Sequence, residues 1–123
     1  MSRFQEIFQL YGADYENTMN RFMGNEEMYL RILDMLFKDD NLEKLGTALE
    51  EQDYKSAFEA AHTLKGVVGN MGLTPLYDAV CAIVEPLRAG METLDYRALY
   101  QNIQSCFEDA DQFRSRLKET KTA

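Results

Sequence analysis

Apolar residues recur along this chain at intervals of three and four, the period of a helix that buries one face. Phe4, Ile7, Phe8 and Tyr11 make the first stripe, and Gly12 breaks it. Tyr15, Met19 and Phe22 make a second, short face that ends at Gly24. Asn25 is predicted as an N-cap, with Glu26 and Glu27 in the first turn, where a helix favours negative charge. Tyr29, Ile32, Leu33 and Leu36 follow, and Leu42, Leu45 and Leu49 continue their stripe. The polar Lys38-Asp39-Asp40-Asn41 between them is a kink or a break between two helices. Asp53 caps the next helix, whose core stripe is predicted as Ala57, Phe58, Ala61, Leu64, Val68 and Met71, with Gly72 as its C′ residue. Thr74 before Pro75 predicts an N-cap with proline at N1, and Leu76, Val80, Ile83, Val84 and Leu87 form that helix's apolar face. Pro86 should bend or shorten it. Thr93 or Asp95 caps a last helix carrying Leu99, Tyr100, Ile103, Phe107, Ala110 and Phe113.

No segment alternates with period two for long. The expected fold class is therefore all-α: an antiparallel four-helix bundle with short N-terminal helices packed against it. No linker or repeat interrupts the chain, so residues 1–123 are expected to form one helical domain, with N-terminal helices in 1–24, the bundle in 25–118 and a frayed polar tail in 119–123.

Composition narrows the functional classes. Thirteen Lys and Arg against 21 Asp and Glu give a net charge of −8, a poor match to nucleic acid or an anionic membrane surface. No apolar run approaches the roughly 20 residues of a membrane span, and the first residues lack the pattern of a secretory signal. Cys81 and Cys106 are far apart and expected as small core hydrophobes, so a reduced, cytoplasmic setting is expected. The chain has a single histidine, His62, which excludes mechanisms that need two imidazoles.

At about 100° per residue, His62 falls away from the inward stripe and shares the outer face with Lys55, Glu59, Gly66 and Gly69. Each glycine inside a helix costs roughly 0.5–1 kcal/mol against alanine. Gly66 and Gly69, one and two turns beyond the imidazole, clear bare backbone along which a second protein can approach; close helix packing is the alternative reading. Lys65, at i+3, can place its ammonium over the same patch. Histidine can act as a covalent nucleophile, and phosphoryl transfer asks a protein mainly for positioning and charge stabilisation. The chain thus has the accepting half of a phosphoryl transfer. It has no phosphate-cradling loop, nucleotide motif or recognisable metal cluster with which to take phosphate from ATP.

Ala61-His62-Thr63-Leu64-Lys65-Gly66, followed by Gly69-Asn70-Met71-Gly72, resembles the signature of histidine-containing phosphotransfer (HPt) domains. Arg21 to Leu30 and the acidic Glu50-Glu51-Gln52-Asp53 extend the likeness to stand-alone bacterial members, from about Tyr15 to Phe113. The resemblance implies a four-helix bundle whose exposed His62 takes a phosphoryl group from a receiver-domain aspartate, on the ring nitrogen farther from the backbone, and passes it on. It implies that Lys65 assists. It also implies that receiver domains of response regulators and a hybrid histidine kinase are the partners, and that Mg²⁺ belongs to the receiver, with no cofactor or metal in this chain. Many members carry a Leu-Glu pair on the following helix; here Ile83-Val84 stands at that spacing, and Glu85 comes one place later. A carboxylate that orients the histidine is then lacking or supplied by Asp78, which favours a shuttle over a kinase part.

The expected function is that of a phosphorelay intermediate and phosphocarrier, not an ATP-using enzyme. A docking module that binds receiver or kinase domains without carrying phosphate is the competing reading. A hydrolase or metal enzyme is disfavoured by the single histidine and the lack of a paired nucleophile and base. The methionines, among them Met19, Met23, Met28, Met35 and Met71, are assigned mostly to packing. Tyr54 and Tyr77 flank the histidine face or snorkel from the core, and Val67 is a candidate for an apolar docking patch.

Overall fold

Short polar side chains decide where most of the helices begin. The computed structural model describes residues 1–122 and holds seven helices among them: α1 (Arg3–Tyr11), α2 (Tyr15–Asn20), α3 (Glu26–Leu36), α4 (Asn41–Glu50), α5 (Tyr54–Asn70), α6 (Thr74–Arg88) and α7 (Tyr96–Glu119). Ser2 and Gln5 form a reciprocal capping box on α1. Asp14, Asn25, Asp53 and Asp95 each accept the N–H three residues on at 3.0–3.1 Å, opening α2, α3, α5 and α7. The polar 38–41 stretch is a break, so α3 and α4 are separate helices.

α6 departs from its expected start. Leu73, not Thr74, holds the N-cap position, and it makes no side-chain cap. Leu73 is fully buried, so core anchoring sets this boundary in place of a hydroxyl cap. Pro86 does not shorten the helix before Arg88, because in the last turn its missing donor removes only one hydrogen bond.

α4 packs along α5, α5 along α6, and α6 along α7, with α7 also touching α4; the successive helices are antiparallel neighbours joined by short turns. α1 and α3 lie against α7. The molecule is thus an all-α helical bundle with its N-terminal helices packed upon it, as the periodicity predicts. The core runs down the middle through Leu33, Leu45, Leu64, Val68, Leu76, Ile83, Ile103 and Leu117, all essentially inaccessible to solvent. Met23 and Met35, expected in packing, are instead 88% and 64% exposed, because they lie off the inward arc of their segments. Cys81 and Cys106 are half-buried free thiols, not full core residues. Of the polar tail, Lys121 pairs with Glu26 at 2.6 Å and lies over the Phe4 ring, while Ala123 falls outside the described residues.

The C-terminal end of α5 is fixed from several sides. Gly72 adopts the left-handed φ of +70°, and Leu73 N–H returns to Val68 O at 3.1 Å. Arg21 donates to the carbonyls of Asn70 (2.8 Å) and Gly69 (3.3 Å), and the buried Tyr29 hydroxyl donates to Met71 O at 2.8 Å. These bonds satisfy carbonyls that a helix end otherwise leaves without partners.

Candidate functional site

α5 divides cleanly by face. Ala57, Ala60, Ala61, Leu64 and Val68 are buried. His62 is exposed in the middle of the helix, as its angular position predicts, with Glu59 and Gly66 exposed beside it. Thr63 is also exposed, and its hydroxyl donates to Glu59 O at 3.0 Å, which holds it to the helix.

Phe58, one turn before His62, is not the core residue expected from its period. It is half-buried, and its ring stacks on the imidazole with centroids 5.5 Å apart and planes 16° apart. The Arg88 guanidinium, from α6, lies 5.3 Å from the centre of the Phe58 ring. The imidazole thus stacks on a neighbour from its own helix. Among the described residues nothing forms a hydrogen bond with either ring nitrogen, and neither Glu85 nor Asp78 bonds to it.

Lys65 leans across to α6, where its Nζ lies 3.7 Å from Glu85 Oε1. The other oxygen of Glu85 lies 3.5 Å from Arg88 Nε. The structure therefore brings Lys65 to the His62 side of the α5–α6 seam, but holds it by a carboxylate.

The two glycines differ. Around Gly66 a Cβ would meet nothing within 4 Å, so the backbone beside the imidazole is open. At Gly69 a Cβ would approach Tyr77 Cε1 to 3.0 Å, so that glycine admits the Tyr77 ring; this is the close-packing alternative. The Cys81 side chain, one turn beyond Tyr77, raises the phenol above its ordinary value, first through hydrogen bonding and then through its charge when ionised. Tyr54 forms a tilted pair with Tyr96. Val67 is half-buried.

Phe58, Glu85 and Arg88 are the site neighbours that sequence reasoning did not assign. The i, i+4 spacing of Phe58 and His62 was a usable signal, whereas the reach of Arg88 depends on how α5 and α6 register.

The site is a convex helix surface and not a cleft. A hollow of 610 Å³ between α4 and α5 is lined by Glu43, Glu51, Asp53 and Glu59 among others, but not by His62. Among the described residues no helix is long and apolar enough to cross a membrane, and no group of three or more His, Cys, Asp or Glu side chains is placed to hold a metal ion. An outward nucleophile on a convex face suits chemistry with a group that another macromolecule presents. A family model described as Hpt domain matches residues 32–121, most of the chain, from the last turn of α3 through α7. Comparison with curated proteins found no match, and comparison with solved structures found none either.

Proposed function

The chain belongs to the Hpt domain family, and from that premise we propose that His62 accepts a phosphoryl group from an aspartate of one receiver domain and donates it to another. Hpt domains are phosphotransfer modules of two-component signalling that interact with receiver domains, carriers rather than kinases. In the accepting step the lone pair of Nε2, the ring nitrogen farther from the backbone, forms the N–P bond. The P–O bond to the aspartate breaks as it forms, and the aspartate leaves with that electron pair as a free carboxylate. The ring proton stays on Nδ1. Donation is the same step in reverse. Lys65 supplies positive charge to the phosphoryl oxygens, and Gly66 leaves room for the partner's loop. Mg²⁺ and the acidic pocket belong to the receiver. The donor is a hybrid histidine kinase, the acceptor a response regulator, and the setting cytoplasmic.

The observation that carries this reading is the exposed His62 ring midway along α5, beside a glycine with open space over it. The test is to mix the protein with a phosphorylated receiver and follow label onto it. Acid-labile, alkali-stable label is expected on the wild type and lost in His62→Gln. Label that persists in His62→Gln moves the site elsewhere. A stable complex that never takes label, where a control carrier does, identifies a docking module instead.

A further inference from the structure

Glu85 is a charged group on this face that the carrier chemistry does not use, and it touches two cations. Three contacts fix the register of α5 against α6: Gly69 faces Tyr77, Lys65 faces Glu85, and Phe58 faces Arg88. His62 lies between Phe58 and Lys65 on α5, so Glu85 and Arg88 stand on α6 at its level. The carboxylate engages Lys65 with one oxygen and Arg88 with the other. Both contacts are long, and the Glu85 side chain is 60% exposed, so each pair is weak and exchanges readily.

We propose that Glu85 is a positioning residue that holds Lys65 and Arg88 while His62 carries no phosphoryl group and yields both cations to that group once it arrives. The proposal deepens the carrier reading and rests on it. A phosphoryl group offers three strong acceptor oxygens and up to two negative charges against the single charge of Glu85, so it wins the two cations. Arg88 lies over the Phe58 ring that stacks on His62, so a change of rotamer would carry its guanidinium toward the phosphoryl group. The displaced carboxylate then faces a group of its own sign. That repulsion keeps the N–P bond from becoming a resting state and favours donation. No bond forms or breaks in the exchange beyond those of the transfer itself.

The experiment compares the full chain with Glu85→Gln, Glu85→Asp and Arg88→Gln variants, each equilibrated with one phosphorylated receiver. It reads the ratio of label on His62 to label on the receiver, at low and at high salt. Glu85→Gln should raise that ratio about three- to tenfold, and Arg88→Gln should lower it by a similar factor, as expected for charges several ångströms apart near a surface. Glu85→Asp should stay within about twofold of wild type, and added salt should shrink both shifts. General damage to the fold would move both neutralised variants the same way. An unchanged or lowered ratio in Glu85→Gln, with His62 still labelled, overturns this proposal and leaves the carrier reading intact. Absence of label on His62 in the wild type overturns both.

Discussion

The end of the bundle where α1–α3 meet α7 and the α5–α6 face that carries His62 use aromatic and charged residues in opposite ways. At the closed end Phe8 packs against Phe113 (5.0 Å), Tyr15 (5.3 Å) and Tyr29 (5.5 Å), and Tyr29 also meets Phe22 at 5.2 Å. Two polar side chains there tie the end together: Tyr29 bonds to Met71 O, and Arg21 to the last carbonyls of α5. On the open face Phe58 stacks on an exposed ring, the cations are held by long pairs, and bare backbone shows at Gly66. The contrast teaches that α5 takes its position from its inner side and its C-terminal end. Its outer side can then be left to a partner.

Leu64 and Lys65, neighbours in sequence, test that division most strongly. Leu64 is 1% exposed in the core, so Leu64→Ala should cost about 2–5 kcal/mol in chemical denaturation. The protein that remains folded should still take label. Lys65→Ala should do the reverse. Its pair with Glu85 is long and partly exposed, so stability should change by under about 0.5 kcal/mol. Transfer should fall by about tenfold, the factor that corresponds to about 1.4 kcal/mol of lost charge stabilisation. If Lys65→Ala unfolds the chain while Leu64→Ala is silent, the two faces have been assigned the wrong way round.

Much of this division was legible before any coordinates. Asn25, Asp53 and Asp95 as caps, Gly12 and Gly72 as stops and the outward position of His62 all follow from rules that act within one or two turns. What escaped depends on neighbours distant in sequence. Phe58 falls near the inward arc, yet it is half-buried at the seam because α6 brings Arg88 over it. Gly69 shares a face with Gly66 on a helical wheel, but only the packing of α6 puts Tyr77 against one and open space over the other. Glu85 stood out in sequence only as one place beyond the spacing of an orienting carboxylate; the register of two helices gives it Lys65 as a partner.

Two interior glycines sharpen the comparison at a smaller scale. A Cβ at Gly46 would lie 2.4 Å from the Tyr100 hydroxyl, which donates to Leu42 O across the α4–α7 contact. Gly46→Ala should therefore destabilise by about 1–3 kcal/mol, because the tyrosine has to move and its bond is strained or lost. Gly66→Ala meets nothing and should stabilise the helix by about 0.5–1 kcal/mol. Gly66→Glu should leave thermal stability near that of wild type and cut transfer by about tenfold or more, by filling the approach to His62. Paired melting curves and labelling assays check all three. Equal melting losses at positions 46 and 66 would mean that the open face is as tightly packed as the core.

Alkaline pH should bear hardest on the closed end, although the Tyr77 phenol at the α5–α6 seam is raised as well. Burial first, then the charge of Tyr11, pushes the Tyr29 phenol well above its ordinary value near 10, and burial followed by the bond to Glu26 pushes Tyr15 up to about 12. Both groups are thus harder to ionise folded than unfolded. The stability tied to them is fully present below about pH 10 and is lost as pH rises toward the folded values. The slope for a tyrosine as buried as Tyr29 is about 1.4 kcal/mol per pH unit. Tyr29→Phe removes that contribution but leaves Met71 O without its donor, at a cost of about 1 kcal/mol near neutrality. Denaturation followed from pH 9 to 11.5 should therefore show the variant starting lower and falling less steeply, so that the two curves converge. Parallel curves would mean that the closed end opens before its tyrosines titrate, and that α5 is anchored by its inner face alone.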